Sequence, residues 1–296
     1  MAADLMDGKA IAEAIRAELK SEVDSLRERG VVPGLGVILV GDNPASCSYV
    51  TAKERACESI GIYSDDNRLP ADTSEADLLK RVEAMNQDPQ IDGILVQLPL
   101  PKHMDESKIL LAIDPAKDVD GFHPMNVGKM MIGEETFFPC TPHGVVQMLM
   151  RSGVETSGKH VVVVGRSNIV GKPVANMLLQ KKAGANATVT LCHTGTEDLA
   201  GFTQQADILI VASGWPNMVT ESMVKPGAVV VDVGVNRVED ATKKSGYRLV
   251  GDVDFEGVSR VASKLTPVPG GVGPMTITML LYNTVESAKA RLMEED

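Results

Sequence analysis

The 296-residue sequence has few cysteines, no long apolar run and no excess of basic charge. Each absence excludes a class of protein. No run of about 18 or more apolar residues occurs, so a transmembrane helix is not expected. Lys plus Arg number 29 against 40 Asp plus Glu, a formal net charge of −11. A long nucleic-acid footprint needs clustered Lys and Arg, so that partner is excluded. At the scale of the whole chain the acidity also argues against small polyanionic ligands, an inference that the local charge pattern reverses below. Cys47, Cys57, Cys140 and Cys192 form no C-x-x-C pair and have no companion histidine spacing. Metal binding is therefore not expected, and the four read as reduced, buried small hydrophobes. The stretch from Met1 to Gly8 lacks a basic region followed by an apolar one. A secretory signal is not expected there, and the protein is expected in the cytoplasm.

What is present is an ordinary apolar fraction, 44%, spread along the whole chain. That excludes disorder, and the length suggests about two domains. Ile11, Ile15, Leu19, Val23 and Leu26 mark one stripe of a helix that Gly30 stops. Short apolar runs at Gly34–Val40 and Ile91–Gln97 read as buried strands, with helices over 42–60 and 74–86. A second series starts near residue 140. Strands are predicted at 160–164, 187–192, 207–212 and 228–233, with a helix after Gly165-Arg-Ser-Asn-Ile-Val-Gly and a last helix from Pro274 to Met293. Short strands alternating with amphipathic helices predict βαβ units and parallel sheets.

The Gly165–Gly171 turn, between a strand and a helix, permits close approach to a phosphate, which open N–H groups of the helix N-terminus would then meet. Its spacing is not the full dinucleotide fingerprint, so a tight turn without a ligand stays open as the alternative. An NAD site places an acidic residue about 20 positions on, to accept from the ribose 2′-hydroxyl. Here no Asp or Glu occurs between Gly165 and Thr196. Arg166 and the hydroxyls of Cys192-His-Thr-Gly-Thr suit a 2′-phosphate instead, which favours NADP. The alternative for Thr194 and Thr196 is capping of the following helix.

Tyr49 and Lys53 share one helix face at i and i+4. A phenol can stack on a flat heterocycle, and a buried lysine can exchange protons near neutrality. On their own, such pairs are more often solvated. Gln97 ends a strand and precedes Leu98-Pro-Leu-Pro, where ligands of open α/β sheets gather. Asp118 and Asp120 lie in Lys117-Asp-Val-Asp-Gly, where a carboxylate can bind an amino-pyrimidine edge or simply shape a turn.

Together these residues resemble the bifunctional methylenetetrahydrofolate dehydrogenase/methenyltetrahydrofolate cyclohydrolase family. The resembling segments run nearly the full length: Asp7-Gly-Lys, Tyr49-x-x-x-Lys53, Gly93-Ile-Leu-Val-Gln-Leu-Pro-Leu-Pro, Lys117-Asp-Val-Asp-Gly and Pro139-Cys-Thr-Pro. They continue with Gly165-Arg-Ser-x-Ile-Val-Gly-x-Pro, Asp232-Val-Gly-Val-Asn, Gly251-Asp-Val and Thr266-Pro-Val-Pro-Gly-Gly-Val-Gly-Pro-Met-Thr. The resemblance implies an α/β protein with two three-layer domains around a cleft. The first comprises 1–140 plus 275–296 and binds folate. The second, 141–274, is Rossmann-like and binds NADP. A homodimer formed through the nucleotide-binding domains is implied as well.

The resemblance also implies roles. Lys53 matches the catalytic lysine, Gln97 its partner, Tyr49 the pterin-contacting tyrosine and Asp120 the aspartate that binds the pterin ring. Leu98, Pro99, Pro269, Gly270, Gly273 and Pro274 complete the implied site for tetrahydrofolate one-carbon derivatives. Thr141, Gly165, Arg166, Ser167, Ile169, Thr194, Val235 and Thr276 are the implied cofactor contacts, Thr194 standing where many relatives carry serine. The expected reactions are oxidation of 5,10-methylenetetrahydrofolate with NADP+ and hydrolysis of the methenyl product to 10-formyltetrahydrofolate. A monofunctional NAD-linked enzyme is disfavoured by the acid-free stretch after Gly165. A binding protein without turnover has no chemical need for Lys53. A formate-activating synthetase activity would need an ATP site, and no G-x-x-x-x-G-K-[S/T] loop is present.

Overall fold

A computed structural model describes residues 2–243 and 246–295. Chain order begins β1 (Asp4–Leu5), α1 (Gly8–Glu28), β2 (Gly34–Val40), α2 (Pro44–Ile60), β3 (Tyr63–Leu69), α3 (Glu75–Gln87), β4 (Gly93–Val96), α4 (Glu106–Leu111), α5 (Pro124–Ile132) and α6 (Cys140–Arg151). It continues with β5 (His160–Val164), α7 (Gly171–Leu179), β6 (Thr188–Cys192), α8 (Leu199–Thr203), β7 (Ile208–Val211), a 3-10 turn at Glu221–Met223 and β8 (Val229–Asp232). The last elements are β9 (Asn236–Glu239), β10 (Tyr247–Val250), α9 (Phe255–Val258), β11 (Lys264–Leu265) and α10 (Val272–Glu295). The chain divides into two compact units, Met1–Ala12 with Thr141–Thr276, and Glu13–Cys140 with Ile277–Asp296.

The unit containing Glu13–Cys140 has a parallel three-stranded sheet in the order β3-β2-β4. Every residue of β2 is buried, as its unbroken Gly-Leu-Gly-Val-Ile-Leu-Val run predicts for a central strand. Ile38, Val40, Ile94 and Val96 pack with Leu78, Val82 and Met85 of α3 and with Ile109 of α4. On α1 the predicted stripe is realised: Ile15, Leu19, Val23 and Leu26 are buried. The helix ends where Gly30 turns left-handed (φ +86°), and the Val31 N–H reaches back to Leu26 O.

Strand β3 is absent from the sequence reading. Its Tyr-Ser-Asp-Asp-Asn-Arg-Leu composition is mostly polar because it lies at the sheet edge, where burial is partial. Buried Asp92 anchors the C-terminal helix in this unit. Its carboxylate accepts from Gly34 N (2.9 Å) and Arg291 Nε (2.7 Å), while its carbonyl accepts from Ser287 Oγ (2.7 Å). A single buried acid thus ties β2 to α10.

The other unit holds a six-stranded parallel sheet in the order β1-β11-β8-β7-β5-β6. All four valines of β5 are buried, and Val162 and Val164 pack with Leu209, Val211, Val230, Val253 and Leu265. Residues Met1–Ala12 join this unit, and not the segment that follows them, because Asp4–Leu5 pairs with Lys264–Leu265. Two-residue strands carry no readable period, so neither β1 nor β11 was predictable from patterning. An antiparallel hairpin, β9 with β10, was likewise unforeseen.

Candidate active site

Helix α2 places Lys53 on its apolar stripe, in line with buried Val50, Cys57 and Ile60. The lysine is 8% exposed, whereas Tyr49, one turn earlier, is 49% exposed. The pair is therefore not a solvated surface pair: the lysine is buried and the phenol is open. Strand β4 delivers Gln97 at its carboxyl end, and the Gln97 N–H extends the ladder to Ile38 O at 2.8 Å. The Gln97 side-chain N–H donates to Leu98 O (2.7 Å), so its carbonyl oxygen is left to accept from Lys53 Nζ at 3.0 Å. An ammonium offers only donors, which dictates this orientation of the amide. Leu98–Pro99 is a cis peptide, with Leu98 half-buried and Pro99 exposed.

The structure separates the two aspartates of the 117–121 turn. Asp118 is buried and accepts from His123 N (2.7 Å) and Asn126 Nδ2 (2.9 Å), so its carboxylate is committed to the turn. Burial pushes its carboxyl up to about 6. Asp120 is half-buried and close enough to Lys53 for each to feel the other's charge. Burial raises the Asp120 carboxyl above its ordinary range, with Lys53 opposing the rise. Burial likewise holds the Lys53 amine below the usual lysine range, with Asp120 opposing the fall.

Two further residues support Asp120: Cys140, expected from the sequence as a buried small hydrophobe and found so, and Asn283, which the sequence pattern did not single out. The buried Cys140 thiol donates to Val119 O at 3.4 Å and lies beside Asp120. Desolvation drives that thiol well above its ordinary value, which makes it a packing group and not a nucleophile. Asn283 of α10 donates to Val119 O (2.8 Å) and Phe138 O (3.0 Å), fastening the segments that flank Asp120. A buried asparagine inside Leu-Leu-Tyr-Asn-Thr-Val was the available signal.

In the other unit, Gly165, Arg166, Ser167 and Ile169 form one loop between β5 and α7. Gly165 has φ +122°, and a Cβ there would overlap the Ala212 carbonyl; a Cβ on Gly171 would overlap Gly165 O. The open helix N-terminus expected from the sequence is not what forms. Ser167 Oγ accepts from Val170 N (3.1 Å) and Gly171 N (3.3 Å), Lys172 N bonds to Ser167 O, and Pro173 has no N–H. Within this turn, the backbone N–H groups of Arg166 to Ile169 have no partner among the described residues. Arg166 is exposed beside them. A loop of open amides, an exposed guanidinium and a glycine cradle that no side chain can enter fit a phosphorylated dinucleotide.

The remaining predicted contacts of this unit fall on loops and helix starts. Thr194 is exposed after β6, while Thr196 spends its hydroxyl accepting from His193 N at 3.0 Å. The cap of α8 is Asp198, not a threonine. Val235 is exposed after β8. These loops leave the carboxyl ends of β5, β6 and β8, the end at which ligands of parallel sheets bind. Thr141 and Thr276 join hydroxyls at 2.9 Å. Pro269 follows a cis peptide, Gly270 has φ +104° and its carbonyl accepts from Lys9 N (3.1 Å), and Gly273 and Pro274 begin α10. Among the described residues no group of three His, Cys, Asp or Glu could hold a metal ion, and no helix is long and apolar enough to cross a membrane.

Comparison with known proteins follows the same division. Residues 6–120 match the catalytic domain of tetrahydrofolate dehydrogenase/cyclohydrolase, and residues 139–292 match its NAD(P)-binding domain. The chain is 61% identical to the bifunctional protein FolD of Syntrophus aciditrophicus over 289 residues, covering 98% of each. Among solved structures, the bifunctional FolD of Campylobacter jejuni is 51% identical with a TM-score of 0.92, covering 98% of this chain and all of that one. The Trypanosoma brucei methylenetetrahydrofolate dehydrogenase-cyclohydrolase, complexed with NADP cofactor and an inhibitor, is 42% identical with a TM-score of 0.93, covering 99% of each chain. With both domains matched in order and over nearly its whole length, the chain belongs to the tetrahydrofolate dehydrogenase/cyclohydrolase family.

Proposed function

We propose that the protein oxidises 5,10-methylenetetrahydrofolate with NADP+ to the 5,10-methenyl cation and then hydrolyses that cation to 10-formyltetrahydrofolate. The observation that carries the residue assignment is the buried Lys53 ammonium held at 3.0 Å by Gln97 Oε1. In this reading Tyr49 lays its exposed ring against the pterin, and Asp120 accepts from the amino and ring N–H groups of the pyrimidine edge. Leu98 and Pro99 complete this unit's share of the folate contacts.

Arg166 takes the 2′-phosphate, the 166–169 amides take the bridging phosphates, and Thr141, Ser167, Ile169, Thr194, Val235 and Thr276 complete the cofactor contacts. Bound NADP+ supplies the hydride acceptor. The protein's part in the oxidation is to hold the folate's one-carbon bridge in line for that transfer. For hydrolysis, Lys53 acts in its neutral form. It removes a proton from water as the oxygen adds to the methenyl carbon, then returns a proton to the ring nitrogen as the carbon–nitrogen bond breaks. Desolvation and the cationic substrate both favour the neutral amine, and Gln97 orients it. A homodimer formed through the nucleotide-binding units is part of the same reading, and sedimentation equilibrium tests it.

The decisive experiment mixes methylenetetrahydrofolate with NADP+ or NAD+ and follows reduced cofactor and the methenyl absorbance together. Wild-type enzyme should favour NADP+ and clear methenyl faster than the enzyme-free control. Lys53→Met should let methenyl persist; normal hydrolysis of methenyltetrahydrofolate by that variant would overturn the role of Lys53.

A further inference from the structure

The loops that follow β7 and β8 are fastened by one side chain that none of the assignments above uses. Asp252 is fully buried. Its Oδ2 accepts from Ser213 N (2.6 Å), Gly214 N (2.8 Å) and Ser213 Oγ (3.0 Å). Its Oδ1 accepts from Asn236 Nδ2 at 2.8 Å. Three donors thus converge on Oδ2 and one on Oδ1, four bonds to a single carboxylate. Asp252 is itself held, because its N–H donates to Asp232 Oδ1 (2.9 Å), which also accepts from Gly234 N (2.9 Å). Asp232 Oδ2 accepts from Val253 N at 3.0 Å. Gly234 and Gly251 have no room for a Cβ, since one would overlap the Asp252 carboxylate and the other the Asp232 carboxylate.

The residues so fastened border the cofactor loop. Ser213 directly follows Ala212, whose carbonyl lies where a Gly165 Cβ would be. Val235 stands between Gly234 and Asn236, which hang from the two carboxylates. Trp215, the sole tryptophan of the chain, closes the 213–215 loop, is 68% exposed, and its N–H donates to Ser213 Oγ at 3.2 Å. We propose that Asp252 is a positioning residue for the dinucleotide: it fixes the loops after β7 and β8 in the form that admits the cofactor, and it takes no part in hydrolysis. The proposal rests on the reading that this unit binds the dinucleotide.

The test uses the full-length enzyme with two separate assays. NADP+-dependent oxidation of methylenetetrahydrofolate reads the nucleotide unit, and hydrolysis of preformed methenyltetrahydrofolate, which needs no dinucleotide, reads the other. Asp252→Ala should raise KM for NADP+ by about tenfold or more, since it strands two loop amides and a hydroxyl. Hydrolysis should stay within about threefold of wild type. Asp252→Asn should restore most of the affinity. Its carbonyl oxygen can face Ser213 and Gly214, while the Asn236 amide turns over to accept from the new Nδ2. Asn236→Ala, which disturbs one contact and keeps the rest, should raise KM for NADP+ a few-fold and serves should the Asp252→Ala chain fail to fold. Trp215 emission, titrated with NADP+, gives the same affinities without turnover.

Unchanged KM for NADP+ in both Asn236→Ala and Asp252→Ala would overturn the proposal. Should Asp252→Ala fail to fold, an unchanged KM in Asn236→Ala is enough to overturn it. Equal losses of both activities would also overturn it, because they would show a general structural role. Failure of wild-type enzyme to use or bind NADP+ would instead overturn the reading of the unit.

Discussion

Replacing Gln97 by alanine removes two bonds at once: the one accepted from Lys53 Nζ at 3.0 Å and the one donated to Leu98 O at 2.7 Å. The first matters for hydrolysis. A hydrogen bond to a charged group is worth about 1.5–3 kcal/mol. If that energy orients the amine in the transition state, its loss lowers kcat/KM for methenyl hydrolysis by about tenfold to about a hundredfold. The pH dependence adds a sign. Neutral Lys53 is the working form, so activity rises as pH passes through a pKa that burial already holds below the usual lysine range. The Gln97 oxygen stabilises the ammonium. Removing it lowers that pKa further, and the ascending limb of the profile should move to lower pH in Gln97→Ala. Gln97→Glu places a carboxylate against the ammonium and should move the same limb to higher pH. The assay is the decay of methenyl absorbance across the neutral and alkaline range, corrected for spontaneous hydrolysis. Shifts of the same sign in the two variants, or no shift in either, would refute the claim that Gln97 acts through Lys53.

Other outcomes follow from the same geometry. Asp120→Ala should weaken folate binding about tenfold or more while leaving NADP+ affinity nearly unchanged, as direct titration of each ligand will read. Arg166→Ala should narrow the preference for NADP+ over NAD+, seen as a smaller ratio of the two kcat/KM values; an unchanged ratio removes Arg166 from the 2′-phosphate. Gly165→Ala must accept φ +122° and a Cβ overlapping Ala212 O. It should cost about 3 kcal/mol or more, read as a lower thermal midpoint together with loss of NADP+ binding.

The charge of this protein differs between the whole chain and its cofactor loop. A net charge of −11 describes the whole chain, yet no acid interrupts the sequence from Gly165 to Thr196, and Arg166 stands exposed beside amides that have no partner among the described residues. Charges interact across about a Debye length of ~8–10 Å, not across a whole protein. The acidity therefore argues against an extended nucleic-acid footprint and leaves an anionic dinucleotide admissible.

What the sequence determined by itself is what depends on neighbours in the chain. Unbroken apolar runs specified β2, β4, β5, β7 and β8, and the 3.6-residue period specified the buried stripe of α1, because burial of local apolar surface needs no distant partner to be foreseen. Gly165 and Gly171 likewise announced a tight turn. Tertiary structure decided the rest. It put Lys53, which spacing alone left as a solvated partner of Tyr49, inside the apolar stripe and against a glutamine 44 residues away. It assigned Asp118 to the turn and Asp120 to the neighbourhood of Lys53, although the two differ by only two positions. It turned Ser167 onto the first amides of α7 and left the preceding loop amides open. It also gathered two loops on the Asp252 carboxylate. Each of these depends on burial and on donors brought together from distant segments. Desolvation and hydrogen-bond geometry exist only once the chain has folded, so no period or spacing in the sequence could encode them legibly.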